Sequence, residues 1–508
     1  MAKKPKLLYE DNNWTFERLK RAEEAIAEIA LKELKLDVYP NQIEIIGSDQ
    51  MLDAYSSVGL PIMYHHWSFG KNFIQEEYSY RKGMSGLAYE IVINSNPCIS
   101  YCMEENSMTM QALVIAHAAY GHNHFFKNNY LFKQWTDAGS IVDYLLFARN
   151  YINKCEEEHG PETVEELLDA CHAIMDYGVD RYKRPTKLNK QKEKERQRER
   201  AEYVQAQANL LWSTLPKKFE VLPSLNQGKI FPKEPQENLL YFIEKHSPKL
   251  EAWQREIVRI VRKISQYFYP QRQTQVMNEG WATFWHYTLL NRLYDKGLVS
   301  DGFILEFLQS HTAVVYQPTF DKPYYRGINP YALGFAMFQD IKRICQNPTD
   351  EDKYWFPDLI GKDWLETIKF AMQNFKDESF IQQFLSPKVM RDFRMFSVLD
   401  DTKKDNLLIS AIHDDGGFRH LRQSLSNQYN LSMNEPNIQV WSVNLRGDRS
   451  ITLRHVRQQG RPLADSSSAV LKHLHFLWKF DVHLECWDDN RLVEIITCNK
   501  EGIKTYKH

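Results

Sequence analysis

The sequence predicts an α+β protein: a mainly helical N-terminal and central domain with a small hairpin sheet, followed by a C-terminal α+β domain. Three observations support this prediction. Apolar residues recur with helical spacing through much of the first 395 residues. Two β-favouring runs between residues 85 and 102 flank the tetrapeptide NSNP, which is typical of a hairpin. Beyond residue 395, short strand-like runs alternate with two helical patterns.

The predicted elements can be followed along the chain. A helical pattern at 14–35 precedes the hairpin, and further helices are predicted at 139–155 and 162–182. Helical patterns resume from about 237 to 395. In the C-terminal part, strands are predicted in RMFSVLD, NLLISAIH, IQVWSVNL, SITLRHV, VHLECWD and LVEIIT, and helices in FRHLRQSLSNQYN and SSAVLKHLHFLWKF. The segment LRGDRS is a candidate hairpin turn between two of these strands.

The predicted division into domains follows the composition. Residues 1–182 and 237–395 are expected to form one mainly helical core domain, and residues 396–508 a separate domain. Residues 183–236 are predicted to be a charged, irregular linker, because their first part mixes both charge signs with few apolar residues. A basic nucleic-acid-binding arm is the alternative for that part, but glutamates dilute its lysines and arginines.

Composition and charge restrict the class of protein. The chain has 508 residues, and its 64 Lys and Arg against 66 Asp and Glu leave a formal charge of -2. This balance argues against a dominant nucleic-acid or anionic-membrane partner. No run approaches the roughly 18 apolar residues of a spanning helix, and no apolar segment of a secretory signal follows the N-terminal lysines. The 7 cysteines occur without CxxC pairs, so we expect a cytoplasmic protein with reduced thiols.

Three histidines interrupt the apolar run AHAAYGHNHFF at 116–126. On a regular helix, the five-residue spacing of His117 and His122 sets them about 140° apart, which prevents joint binding of one ion. Gly121 lies between them and would allow a bend or a π-bulge that brings the two rings together. His124 is a further candidate. The alternative is that these histidines are hydrogen-bonded core residues.

A second segment, VMNEGWATFWHYTLLN at 276–291, contains Glu279 and His286 on one face of a predicted helix. A carboxylate in such an apolar, aromatic helix is costly to bury unless it is paired or metal-bound. The alternative is a carboxylate near the helix N-terminus, with Asn278 as the cap. Two imidazoles and one glutamate form the His₂Glu ligand set of zinc, with His286 as fourth ligand or as acid and base.

The order of hairpin, histidine helix and glutamate helix resembles that of the zincin-type metallohydrolases. The segment EGWATFWH resembles the glutamate helix of some of these enzymes, and Tyr331 in NPYALGFAMF is a candidate for a tyrosine near the site. The sequence departs from the zincin motif HExxH, whose glutamate is the general base. Ala118 follows His117 here, and the second histidine comes five rather than four residues later.

Other segments contain further site candidates. They are His66 in MYHHWSFGK, Asp180 in CHAIMDYGVDRY and His311 in QSHTAVVYQP. Asp180 is predicted to share one helical face with His172 and Asp176, at four-residue steps. A structural role is the alternative for each of these residues.

Together these segments resemble the SpoVR family, named for a stage V sporulation protein. The matching segments are YHHWSFGK, GLAYEIVINSNP, AHAAYGHNHFFKNN, YGVDRY, NEGWATFWH and NPYALGFAMFQDI. The resemblance implies a link to spore cortex formation in spore formers and to a stress or stationary-phase module elsewhere. It also implies two partners, a PrkA-type serine protein kinase and a von Willebrand factor A domain protein. The family name implies no reaction.

Two functions therefore remain open. The first is a metal-dependent hydrolase of an amide or peptide-like bond, in which His117, His122 and Glu279 hold a divalent metal, zinc by its ligand set. The second is a non-catalytic interaction protein of the kinase module on a degenerate metallohydrolase scaffold. Ala118 favours the second function. The retained cluster of ionisable groups favours the first, since buried polar groups are costly to keep.

Overall fold

The structure is a computed structural model. It describes residues 7–56, 62–67, 90–181, 195, 198–199, 202, 231–319, 322, 325, 327–395, 397–399, 408–411, 414–488 and 490–507. Most of the predicted linker and the sequence matches within 68–89 lie outside the described residues.

The described elements alternate as the α+β prediction requires. The α-helices are α1 Phe16–Ala27, α2 Ser48–Ser56, α3 Met108–Ile115, α4 Asn123–Asn128, α5 Tyr130–Trp135, α6 Ile141–His159, α7 Pro161–His172, α8 Leu239–His246, α9 Ala252–Arg272, α10 Gln275–Asp295, α11 Asp301–Val314, α12 Pro330–Gln346, α13 Asp350–Trp355, α14 Trp364–Asn374, α15 Asp377–Phe384, α16 Pro387–Asp392, α17 Asp415–Gln428, α18 Leu431–Asn434 and α19 Ser467–Trp478. The strands are β1 Asn41–Ile46, β2 Glu90–Ile93, β3 Cys98–Met103, β4 Ser397–Leu399, β5 Leu408–Ala411, β6 Asn437–Val443, β7 Ile451–Arg457, β8 Val482–Asp488, β9 Arg491–Asn499 and β10 Gly502–Lys507. None of these helices is long and apolar enough to cross a membrane.

The chain divides into two compact units that do not follow the predicted domain boundaries. The first unit contains residues 1–61, 67–139 and 270–431, and the second contains 62–66, 140–269 and 432–508. Helices α6, α7 and α8 and most of α9 were expected in the helical core but belong with the C-terminal segment. Ser247 donates a hydrogen bond to the carbonyl of Leu477 within this second unit. Local helical periodicity does not reveal which core a helix joins.

Helix α17 also lies on the other side of the predicted boundary. Its Ser426 hydroxyl donates to the carbonyl of Glu378, and its Arg422 side chain donates to the carbonyl of Leu385. These bonds attach α17 to the helical first unit. The unit therefore continues to residue 431 rather than ending at 395.

The first unit contains a three-stranded sheet in the order β1-β3-β2. Strands β2 and β3 are antiparallel, with Ile93 opposite Ile99, and the NSNP turn joins them. This confirms the predicted hairpin. Strand β1 pairs with β3 in parallel, so β3 is the central strand. Helix α3 and the histidine segment follow the hairpin directly.

Helix α10 runs through the core of the first unit, and Trp281, Phe284 and Trp285 are fully buried on it. Its first turn is capped from a distant segment, since the amides of Val276 and Met277 donate to Asp377 at 2.9 and 2.8 Å. A carboxylate at this position satisfies amides that the helix itself leaves unpaired. Asp377 therefore anchors the end of α10 that lies next to Glu279.

Two glycines bring α10 and α12 unusually close together. A Cβ atom on Gly280 would lie 2.3 Å from Gly334, and one on Gly334 would lie 2.1 Å from the carbonyl oxygen of Val276. Both distances are far below van der Waals contact, so any larger residue would push the helices apart. The pair thus sets the distance between the helix with Glu279 and the helix with Tyr331.

The second unit contains a five-stranded sheet in the order β10-β9-β8-β7-β6. The predicted C-terminal strands and both helices are present, but β4, β5 and α17 belong to the first unit, where β4 and β5 pair in a separate two-stranded sheet. In the second unit, β6 and β7 form the antiparallel hairpin predicted at LRGDRS. Edge strand β10 was not predicted, because its residues are mostly exposed and polar. The prediction that Asp180 shares one helical face with His172 is wrong, because α7 ends at His172.

Candidate metal centre

The histidine segment leaves α-helical geometry at the predicted place. Residues Ala116–His122 form a π-helical turn between α3 and α4, and every residue of the turn is buried. A π-helical turn aligns residues five apart, which is the spacing of His117 and His122. Their ring centroids lie 4.6 Å apart. The predicted bend is therefore confirmed, and it places both imidazoles on one side of the helix.

Gly121 has a different role from the one expected. It does not adopt a positive φ, so the turn does not require the conformational freedom of glycine at this residue. Instead, a Cβ atom on Gly121 would lie 2.5 Å from Cα and 2.9 Å from Cβ of Ala282. Glycine is needed because the turn packs directly on the backbone of α10. The close approach brings the two histidines to Glu279.

Glu279 faces both histidines from α10. Its Oε2 atom lies 3.5 Å from Nε2 of His122 and 3.8 Å from Nε2 of His117. Among the described residues, these three are the one group of His, Cys, Asp and Glu side chains found whose ligand atoms all lie within 4.8 Å of one another. The side chains suited to hold a metal therefore belong to the π-helical turn and to α10.

Asn278 orients His122 rather than capping a helix. Helix α10 begins at Gln275, so Asn278 lies inside it and Glu279 in its second turn. Nδ1 of His122 lies 3.0 Å from Oδ1 of Asn278. An amide oxygen only accepts, so Nδ1 carries the proton and Nε2 presents its lone pair towards Glu279. The alternative of an N-terminal carboxylate with Asn278 as cap is therefore wrong.

Glu90 is a site residue that the sequence analysis missed. It is the first residue of β2, and its Oε1 atom lies 3.5 Å from Nε2 of His117. Burial, and secondarily the charge of Glu279, raise the pKa of Glu90 to about 8. The only sequence signal was a carboxylate at the start of the apolar run EIVI. A carboxylate at the start of such a run usually lies on the solvent-exposed face of a strand.

The charges of the site suit a cation. Burial lowers the pKa of His117 to about 4, so its imidazole is neutral at neutral pH. Burial alone would raise the pKa of Glu279, but His122, His117 and Tyr331 together outweigh it and lower the pKa below its usual value. A neutral His117 imidazole beside an ionised Glu279 carboxylate is the combination of protonation states in which these two side chains bind metal.

The spacing of the unpaired atoms also fits a metal. Nε2 of His117 and Oε2 of Glu279 are buried without a hydrogen-bond partner among the described residues. Their separation of 3.8 Å is too long for a hydrogen bond. Two ligand atoms about 2.1 Å from one tetrahedral ion lie about 3.4 Å apart. The donor set and its spacing therefore fit a bound divalent ion.

Tyr331 lies at the same site. It is in the first turn of α12, where the side chain of Asn329 caps the helix by accepting from the amides of Tyr331 and Ala332. The Tyr331 ring stacks on the His117 ring, with centroids 6.3 Å apart and planes 17° apart. Its hydroxyl group faces the Glu279 carboxylate and helps to lower the pKa of that group.

His286 and His311 lie behind the site. Nδ1 of His286 is 2.9 Å from Nδ1 of His117, and Nε2 of His286 is 2.8 Å from Nδ1 of His311. His286 thus contacts the opposite side of the His117 ring from Nε2, the nitrogen that faces Glu279. This geometry argues against His286 as a fourth ligand, because it lies beyond a ligand rather than beside it.

The remaining candidates lie elsewhere. His124 stacks on Trp281 with centroids 5.4 Å apart and is not part of the three-residue group. In the second unit, Nε2 of His66 lies 3.0 Å from Asp169, and the Asp180 side chain faces that of Glu237. The structure therefore gives each of these three residues partners of its own.

Comparisons with known proteins agree on one family. A family model described as "SpoVR like protein" matches residues 13–434, and one described as "SpoVR-like C-terminal domain" matches residues 436–489. The chain is 64% identical, over 98% of its length and 97% of the relative's, to the Escherichia coli (strain K12) protein named "Uncharacterized protein YcgB". No solved structure matches the chain. The chain therefore belongs to the SpoVR family.

Proposed function

We propose that the protein is a metal-dependent hydrolase of an amide or peptide-like bond, with a zincin-like arrangement of its site. His117, His122 and Glu279 hold a divalent ion, and their His₂Glu composition favours zinc. The observation that supports this most is the pair of buried, unpartnered atoms, Nε2 of His117 and Oε2 of Glu279, at a ligand-to-ligand distance. Without a cation, burying these two polar atoms without a partner costs folding free energy.

The chemistry that a bound ion supplies is the activation of water and the polarisation of a carbonyl group. The residues of the chain supply the proton transfers and the orientation. Oε1 of Glu90 lies 3.5 Å from the ligand nitrogen of His117. Once a bound cation has lowered its raised pKa, the ionised Glu90 is placed to take up a proton from the attacking water. Glu90 thereby replaces the glutamate that HExxH would place where Ala118 stands. Tyr331 orients the Glu279 carboxylate through its hydroxyl group.

Metal analysis and matched variants test this proposal. Protein purified without added metal is expected to contain about one zinc ion per chain, and His122→Ala and Glu279→Gln to lose it. Glu90→Gln is expected to keep the metal but lose release of free amines from a panel of peptides and N-acyl amides. A wild-type protein that binds no divalent ion when it is offered would refute the metal site. A Glu90→Gln protein as active as the wild type would refute the role of Glu90.

A second candidate function follows from Ala118. Ala118 is fully buried, and its methyl group offers no base at the position that the glutamate of HExxH would occupy. In this alternative the protein is a non-catalytic partner of a PrkA-type serine protein kinase and a von Willebrand factor A domain protein, in a stress, stationary-phase or sporulation module. Two results together would favour this function. The Glu90→Gln protein and the metal-free protein would still bind either partner, and the wild type would show no hydrolysis.

A further inference from the structure

Three buried imidazoles form a hydrogen-bonded chain that leads away from the site. This imidazole chain consists of His117 in the π-helical turn, His286 in α10 and His311 in α11. Its two links are 2.9 Å between the Nδ1 atoms of His117 and His286, and 2.8 Å between Nε2 of His286 and Nδ1 of His311. The three residues are 3%, 0% and 5% exposed. Both links therefore have ordinary hydrogen-bond lengths in an interior that holds the rings in place.

The surroundings of the far end are aromatic. The His311 ring contacts the rings of Tyr287, Phe335 and Phe307, with centroids 4.8, 4.9 and 5.9 Å away. Packing on several sides fixes the orientation of the His311 ring. The fixed ring in turn presents Nδ1 to His286, so the direction of that hydrogen bond depends on proton positions rather than on ring rotation.

A neutral imidazole carries one N–H, which permits two proton arrangements along the chain. In one, Nε2 of His117 carries the proton, and each following hydrogen bond points back towards His117. In the other, Nε2 of His117 is bare and Nδ1 donates to His286, whose Nε2 then donates to Nδ1 of His311. The two arrangements contain the same number of protons and the same net charge. Only the second leaves the His117 lone pair that a metal requires.

We propose that His286 and His311 are positioning residues that set the tautomer of His117 for metal binding. The inference rests on the proposed metal site and goes beyond it. Binding of a cation to Nε2 of His117 selects the second arrangement. The proton at the far end of the imidazole chain then lies on Nε2 of His311 instead of Nδ1. The state of the metal site is thus transmitted across α10 to α11 without movement of the backbone. Partners that orient a ligand imidazole commonly change metal affinity by about 10–100-fold.

Two substitutions of His286 test the proposal against a purely structural role. His286→Leu removes the acceptor for Nδ1 of His117 and is expected to weaken zinc binding about 10–100-fold. In His286→Asn the amide oxygen takes the place of Nδ1 and accepts the same proton, but the link from Nε2 to His311 is lost, so zinc binding is expected to weaken less than in His286→Leu. The control is His455→Leu, which removes an imidazole of the second unit that is 3% exposed and is expected to leave zinc affinity unchanged.

The readouts are the zinc dissociation constant, from competition with a chromophoric chelator, and nitrogen NMR of histidine-labelled wild-type protein. With zinc, His286 is expected to show a bare Nδ1 and a protonated Nε2. A protonated Nδ1 of His286 in the zinc-loaded protein overturns the proposal, even where His286→Leu does not fold. So does a His286→Leu protein that binds zinc as tightly as the wild type. A wild type that binds no zinc would instead refute the proposed function.

Discussion

Gly121→Ala adds one methyl group at the contact between the π-helical turn and α10. The added Cβ atom would lie 2.5 Å from Cα of Ala282, whereas carbon atoms in contact lie about 3.5–4.0 Å apart. The turn must therefore move away from α10 by about 1 Å, at a cost of about 1–3 kcal/mol of stability. The ligand separations of 3.5 and 3.8 Å between the histidines and Glu279 would grow to about 4.5 and about 4.8 Å.

Such a separation exceeds the roughly 3.4 Å between two ligands of one tetrahedral ion. We expect Gly121→Ala to weaken zinc binding at least about tenfold while the fold survives, since catalytic and metal sites tolerate only about 0.5 Å of displacement. The measurements are a zinc competition titration and a thermal melt followed by circular dichroism. Gly139→Ala is the matched control, because its added Cβ would meet its nearest atom at an ordinary 3.7 Å.

The outcome that contradicts this reasoning is specific. If Gly121→Ala folds and binds zinc as tightly as the wild type, the close approach to α10 does not align the ligands. If Gly139→Ala weakens zinc binding equally, the effect comes from the general loss of a glycine and not from the contact with Ala282.

Further predictions concern pH, proton release and the domain division. Burial raises the pKa of Asp377 from 3.8 to about 7, so the folded chain binds more protons than the unfolded chain between these values. The free energy of unfolding, measured by urea titration of protein kept metal-free with a chelator, should therefore fall as pH rises through that window, by up to about 1.4 kcal/mol per pH unit from this group. The Asp377→Asn protein should lack this contribution. Because the pKa of Glu90 is raised to about 8, zinc binding near pH 7 should release a proton that Glu90→Gln does not release, as calorimetry in two buffers would detect. The fragment 396–508 should fail to melt cooperatively, because it lacks the helices that pack on its helix α19. One of these is α8, whose Phe242 ring lies 5.9 Å from the Trp478 ring of α19. A sharp melt of the fragment would contradict the observed division.

Short sequence patterns were enough to predict the local features of the fold. The five-residue spacing of His117 and His122, with a glycine between them, predicted a departure from α geometry, and a π-helical turn is present. The runs around NSNP predicted the hairpin, and the C-terminal alternation predicted the strands of the second sheet. Patterns of this kind depend on residues close together in the chain, whose geometry the backbone itself restricts to a few repeats.

The tertiary structure alone decided which distant residues meet. It placed Glu90 beside His117 because the hairpin packs next to the π-helical turn, and it placed His286 behind the His117 ring rather than beside the proposed ion. It also decided that Gly121 must be a glycine, because the turn packs against Ala282 there. Local sequence periodicity cannot predict that contact. Helices α6 and α7 show the same limit, because an apolar stripe requires burial but does not specify the partner that buries it. Close packing of side chains far apart in sequence makes that choice.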